Sequence, residues 1–172
     1  MVDVTHLRTR HGTELRLGPT RAEDHAELLG LFRAVVATGD GYPQARDDRV
    51  DADAFAAYWL DPARFSVVAR RVDDGRLVGA YTVKANGVGR AAHVANAGYV
   101  VAEGERGRGI GTVLVEHSLV EARAEGFDAM QFNFVFATNP ARRLYERLGF
   151  QQVGEVPDVI EGEAVCIYWR RI

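Results

Sequence analysis

The chain holds one cysteine and one lysine among 172 residues. The lone Cys166 excludes an internal disulfide framework and a cysteine-rich zinc site. It lies within AVCIYW, an apolar strand-like run that calls for a small buried hydrophobe rather than a nucleophile. No apolar run has the length of a membrane span, so no membrane partner is expected. MVDVTHLRTRHG, at the N-terminus, lacks the apolar centre of a signal peptide, and the cytoplasm is the expected location. A net charge of −3 argues against a general nucleic-acid binder but allows a local basic pocket. His6, His11, His25 and His117 show no metal-ligand spacing, so no metal is expected. There is no internal repeat, low-complexity tract or linker, and the length suits a single domain over 1–172. A content of 47% hydrophobic and 26% charged residues fits a globular chain with a real core. With Lys84 the sole lysine, the basic residues are almost all arginine; base composition of the genome and phosphate recognition both produce that bias.

Periodicity and turn residues predict alternating elements. TELRLG reads as a first strand, and Thr20 and Glu23 stand in capping-box spacing ahead of a helix in RAEDHAELLGLFRAVVAT. GDGYP is a loop, and a shorter helix in ADAFAAYWL is closed by Asp61-Pro62. FSVVARRV and RLVGAYTVK form a hairpin about DDG, and HVANAGYVV is the next strand. A glycine run then leads into a helix from about 109 to 125, stopped by Gly126. DAMQFNFVF is a strand, and Pro140 opens the helix PARRLYERL, which Gly149 ends. Strands around FQQVGEV and AVCIYWRR close a mixed α/β sheet flanked by helices.

ERGRGIGT, residues 105–112, joins a strand to a helix start. Backbone amides without partners, left-handed glycine angles and the helix dipole make such a junction suited to an anion, with Arg106 and Arg108 able to add charge-assisted bonds. A loop that merely turns sharply accounts for the glycines equally well. A P-loop is weakened because the stretch has no lysine, and a dinucleotide fingerprint by threonine at position 112.

Two stretches together resemble the GNAT superfamily of N-acetyltransferases. Arg106, Gly109 and Gly111 match its acyl-CoA motif, with Gly107 in the usual place, and NPARRLYERLGF from Asn139 to Phe150 matches its second motif. The resemblance covers nearly the whole chain and implies a mostly antiparallel seven-stranded sheet, splayed between its fourth and fifth strands, with about four helices. It implies acetyl-CoA as cosubstrate, its pyrophosphate on the amides of residues 106–111, which include Ile110. The pantetheine arm would follow Val100 and Val101, with the Val101 amide on the thioester carbonyl. Tyr145 is the implied general acid, and Asn139 and Arg142 are implied cofactor contacts, with Arg143 left to solvent. Asn139 and Tyr145 stand one residue closer than in many relatives. No general base is evident: Glu103 reads as a surface carboxylate, and His93 reads equally as a base or a satisfied polar residue. Family members often dimerise, so a homodimer is compatible with the reading.

Asn96 and Asn133 interrupt apolar strands, which is costly without partners. A structural bond across the splay and substrate recognition are both open explanations. The segments HVANAGY and MQFNFVFATN are similar to a GNAT subgroup that acetylates L-azetidine-2-carboxylate and related cyclic amino acids, which implies a small amine or amino acid acceptor. The other readings are a non-catalytic acyl-CoA-binding module and an acetyltransferase for protein N-termini or lysines.

Overall fold

The computed structural model describes residues 2–39, 41–44 and 50–172. Asp40, within the loop GDGYP, lies outside the described residues. Strands β1 (Thr5–Arg8), β2 (Glu14–Pro19), β3 (Phe65–Arg71), β4 (Leu77–Ala85), β5 (Val94–Val101), β6 (Ala129–Phe136), β7 (Gln151–Ile160) and β8 (Glu163–Arg171) form one sheet. Their order is β1-β2-β3-β4-β5-β6-β8-β7. The eighth strand beyond the expected seven is β1. It is a polar edge strand with little hydrophobic pattern of its own, and it forms by pairing Leu7 against Leu15 of β2.

The helices are α1 (His25–Thr38), α2 (Ala52–Phe55), α3 (Ile110–Ala124) and α4 (Arg142–Arg147). The expected capping pair before α1 is replaced. Asp24, not Glu23, accepts the Arg21 amide at 2.9 Å, and the Thr20 hydroxyl donates to Ser66 Oγ. Beyond α2 the chain widens to π-type winding over Ala56–Leu60, with Asp61 N–H reaching back to Ala56 O. Widening leaves carbonyls out of the regular ladder, and the Thr82 hydroxyl donates to that of Trp59 at 2.9 Å, fixing the buried indole against β4. α4 starts at Arg142 rather than Pro140, because Asn139 Oδ1 accepts the Ala141 amide at 2.8 Å and holds the chain in a turn first.

Hydrophobic cores cover both faces. Ile110, Leu114 and Leu119 of α3 pack among Tyr81, Met130, Phe132 and Tyr168, whereas Leu28, Phe32 and Trp59 pack among Val68, Ala80 and Val100. β5 and β6 run parallel but pair only at Val94↔Ala129 and Ala95↔Met130. Beyond those residues they part, so the splay falls between the two strands expected to carry it. They are fifth and sixth once β1 is counted.

Under α3, Tyr81 Oη and His117 Nδ1 lie 2.7 Å apart, and His117 Nε2 is buried with no hydrogen bond. The Glu121 carboxylate stands 3.8 Å from that nitrogen, yet burial wins and holds His117 below its ordinary 6.5. A base depressed in the fold contributes fully above the unfolded value and loses that contribution as pH falls toward the folded one, since the unfolded chain takes the proton first. Wild-type Tm should therefore drop from about pH 7.5 to about pH 5.5 more steeply than that of His117→Gln. Parallel thermal profiles for the two proteins would contradict this.

Candidate active site

The parting of β5 and β6 opens a cleft of about 870 Å³ that runs from the α3–α4 face of the sheet to the α1–α2 face. Strand parity decides what β5 offers it. The Ala102 amide donates to Val78 O on β4 at 3.0 Å, so the Val101 amide turns the opposite way, toward the splay. The Tyr99 carbonyl shares that direction and accepts the Tyr42 hydroxyl at 2.8 Å. Val101 lines the cleft. Val100 does not: it is 1% exposed in the α1-side core, and its carbonyl faces Gly79 of β4. Adjacent residues of one strand face opposite ways, so a site contact for both was one too many.

After β5 the chain makes a turn at Glu103–Glu105 and enters the glycine run. Gly107 and Gly109 have φ of 78° and 83°, left-handed values that glycine adopts without a Cβ penalty. Gly111 has ordinary helical geometry, and a Cβ there would stand 3.6 Å from Leu144 of α4. The first helical bond at this end runs from Val113 N–H to Gly109 O, which leaves the amides of Ile110, Gly111 and Thr112 without a partner among the described residues at the cleft wall. Arg106 also lines the cleft, whereas the Arg108 side chain is half exposed and lies 3.4 Å from Glu105. Glu105 itself is 4% exposed and ion-paired with Arg71 at 2.8 Å, tying the loop to β3. Glu103 is exposed and outside the cleft, as is His93, whose Nδ1 lies 2.9 Å from Arg90 O.

α4 brings Tyr145 against Phe132 of β6, ring centroids 4.6 Å apart, with Phe150 and Tyr168 both at 5.9 Å. Burial pushes its phenol well above the usual tyrosine range, so the hydroxyl is protonated at neutral pH. The ring lines the cleft, and its hydroxyl has no hydrogen bond with the described residues. A neutral O–H facing an 870 Å³ cleft, without a partner among the described residues, can donate into that cleft. Asn139 lines the cleft and engages its Oδ1 in the turn before α4. Arg142 is diverted from the cleft. Its guanidinium donates to Tyr168 Oη, Ala137 O and Gln152 Oε1, because β8 inserts between β6 and β7 and brings those acceptors under α4. Arg143 is exposed, as expected.

On the α1–α2 face, Asn96 Nδ2 donates to Gln131 O at 2.9 Å and so bridges the strands where they begin to part. Asn133 is exposed rather than buried. It accepts from Gln131 Nε2 at 2.7 Å and donates to Asn86 Oδ1, beside a register shift in β6 that turns it toward the opening. Both asparagines line the cleft together with Tyr42, Tyr58, Trp59 and Lys84. Trp59 and Lys84 have no sequence signal for a site, since they converge only through sheet register and the packing of α2, whereas Tyr42 lies in the loop Gly41-Tyr42-Pro43 that the family resemblance puts at the acceptor pocket. Arg10 also lines the cleft from the β1–β2 turn, an element without a sequence signal. Cys166 is fully buried, outside the cleft, with its thiol pushed up by burial.

Residues 21–150 match the model of the Acetyltransferase (GNAT) family. N-acetyltransferase aca1 of Schizosaccharomyces pombe is 42% identical over 83 residues, which are 48% of this chain and 40% of that protein. Protein SPT10 of Saccharomyces cerevisiae is 34% identical over 82 residues, 47% of this chain and 13% of its own length. The chain thus matches less than half the length of these curated relatives. A GCN5-related N-acetyltransferase from Kribbella flavida superposes with a TM-score of 0.83 at 30% identity, covering 92% of this chain and 98% of that one. An acetyltransferase from Salmonella typhimurium, solved with acetyl-CoA, shares the fold with a TM-score of 0.79 at 18% identity, over 91% and 93% of the two chains.

Proposed function

The chain belongs to the acetyltransferase (GNAT) family, and on that premise we propose that it is a single N-acetyltransferase domain that moves the acetyl group of acetyl-CoA to a small amine. The observation that carries this reading is the Tyr145 hydroxyl, without a hydrogen bond among the described residues, in the same cleft as the open amides at the start of α3. When bound, acetyl-CoA supplies the activated acyl group and a thiolate leaving group. The amides of Ile110 and Gly111, the left-handed backbone at Gly107 and Gly109, and Arg106 fit a pyrophosphate. The open edge of β5 fits an extended pantetheine arm, and the Val101 amide would receive the charge that develops on the thioester oxygen. Tyr145 would hand its proton to the departing sulfur, as the amine nitrogen bonds to the acetyl carbon and the carbon–sulfur bond breaks. The proton shed by that nitrogen would restore the phenol through solvent, and with thioester and amine in one cleft the transfer would be direct, within a ternary complex. Asn139 remains a candidate contact for the pantetheine arm.

On the acceptor side, Tyr42, Tyr58 and Trp59 with Asn96 and Asn133 support an acceptor of metabolite size over a protein substrate. A cyclic amino acid of the L-azetidine-2-carboxylate kind is the finer candidate. Thiol release should be measured with amino acids, proline analogues, polyamines and peptides. Turnover with a small amine supports the reading. Tight acetyl-CoA binding without thiol release from any acceptor would instead favour an acyl-CoA-binding module.

A further inference from the structure

Acetyl transfer, as derived above, leaves Lys84 without a task. Lys84 and Asn96 are register partners across β4 and β5, so both side chains leave the same face of the sheet, toward α1 and α2. Both line the acceptor end of the cleft. The Lys84 ammonium stands 5.8 Å from the centre of the Tyr58 ring, its one interaction among the described residues: it has no hydrogen bond and no ion pair with them. Glu105 is the only acidic residue among the described ones that line the cleft, and Arg71 already engages it at 2.8 Å. A half-buried ammonium on an aromatic face thus has no counter-charge among the described residues of the compartment that would receive the acceptor.

Resting on the acetyltransferase reading, we infer that Lys84 holds the carboxylate of the acceptor, which makes the substrate class an α-amino or α-imino acid rather than a simple amine or polyamine. The charge balance favours this class. A polyamine would bring further positive charge beside Lys84, whereas an amino acid supplies the missing anion and retains its nitrogen for acylation. Lys84, the sole lysine among 21 Lys and Arg residues, offers a carboxylate one compact ammonium with three donors. Asn96, with its Oδ1 unengaged, stands beside the same position for the acceptor's own N–H groups.

The test compares acids with their amides. Amino acids, proline and azetidine-2-carboxylate among them, and the corresponding carboxamides are titrated into the protein in the presence of CoA, and the same pairs are assayed for thiol release with acetyl-CoA. The tightest ligand should be an acid, bound and turned over on the order of 100-fold better than its amide. Lys84→Met should bring acid and amide within a few-fold of each other, and Lys84→Arg should restore part of the preference. Acetyl-CoA affinity reports whether the variants keep the cofactor side of the cleft. An acid preference in binding that depends on Lys84, without thiol release, sinks the acetyltransferase reading and sustains the carboxylate site. No acid bound better than its amide across the panel, or an equal loss for both in Lys84→Met, overturns it.

Discussion

Tyr145→Phe should lower kcat by a factor of about 10² to 10⁴, the usual worth of a positioned general acid, and change acetyl-CoA affinity by less than a few-fold. Phenylalanine keeps the ring contacts with Phe132, Phe150 and Tyr168, and the lost hydroxyl has no hydrogen bond with the described residues. Folding should therefore be unaffected, and Tm should match wild type. Steady-state kinetics with a saturating acceptor, alongside calorimetric titration of acetyl-CoA, separate the two effects. Because burial holds the phenol above its ordinary value, the wild-type rate should show no alkaline fall from Tyr145 as pH rises through the ordinary tyrosine value of 10.0. Unchanged kcat in the variant would remove Tyr145 from the mechanism, whatever the ring does for packing.

Gly109→Val should damage both cofactor binding and folding. At φ 83° a β-branched residue is strained, and any Cβ there would meet Thr9, Arg10 and His11 of the β1–β2 turn at 3.4–3.5 Å. The strain is worth on the order of 1–3 kcal/mol of stability, read as a lower denaturation midpoint in urea. Relief by shifting the loop would displace the amides of Ile110 and Gly111, and acetyl-CoA affinity should fall by at least about tenfold, the equivalent of one lost hydrogen bond at an ionised group. Gly111→Ala is the contrasting substitution, with ordinary helical angles and a Cβ in van der Waals contact with Leu144. It should fold as wild type does. If Gly109→Val binds acetyl-CoA as wild type does, the glycine run is a turn and not a phosphate cradle.

What the sequence disclosed about the site followed the range of the interactions concerned. The glycine run and the start of α3 are local: backbone angles and a helix terminus lie within a few consecutive residues, so their geometry could be read directly. Tyr145 was legible through helical spacing and motif together. Arg142 belongs to the same helix but points elsewhere, because its fate depends on β8 being threaded between β6 and β7, a long-range choice that brings Tyr168 and Gln152 under it. Val100 shows a different kind of miss. Its direction follows from strand parity alone, and was readable once Val101 was assigned to the cleft. Asn133 looked buried because its neighbours are apolar, yet the widening of the splay exposes it. Lys84 carried no local signal at all, since register across β4 and β5 brings it to the acceptor side. β1 was missed for want of hydrophobic alternation, and with it Arg10 in the turn that rests on Gly109.

The central claim is that one cleft holds thioester and amine together and passes the acetyl group directly between them. Single turnover with acetyl-labelled acetyl-CoA and the best acceptor, quenched and resolved into protein, free thiol and acceptor fractions, tests it most directly. The account predicts one label on the acceptor nitrogen for each CoA released and none on the protein at any time. Label that accumulates on the chain before it reaches the acceptor, or CoA released without an acetylated amine, would contradict it.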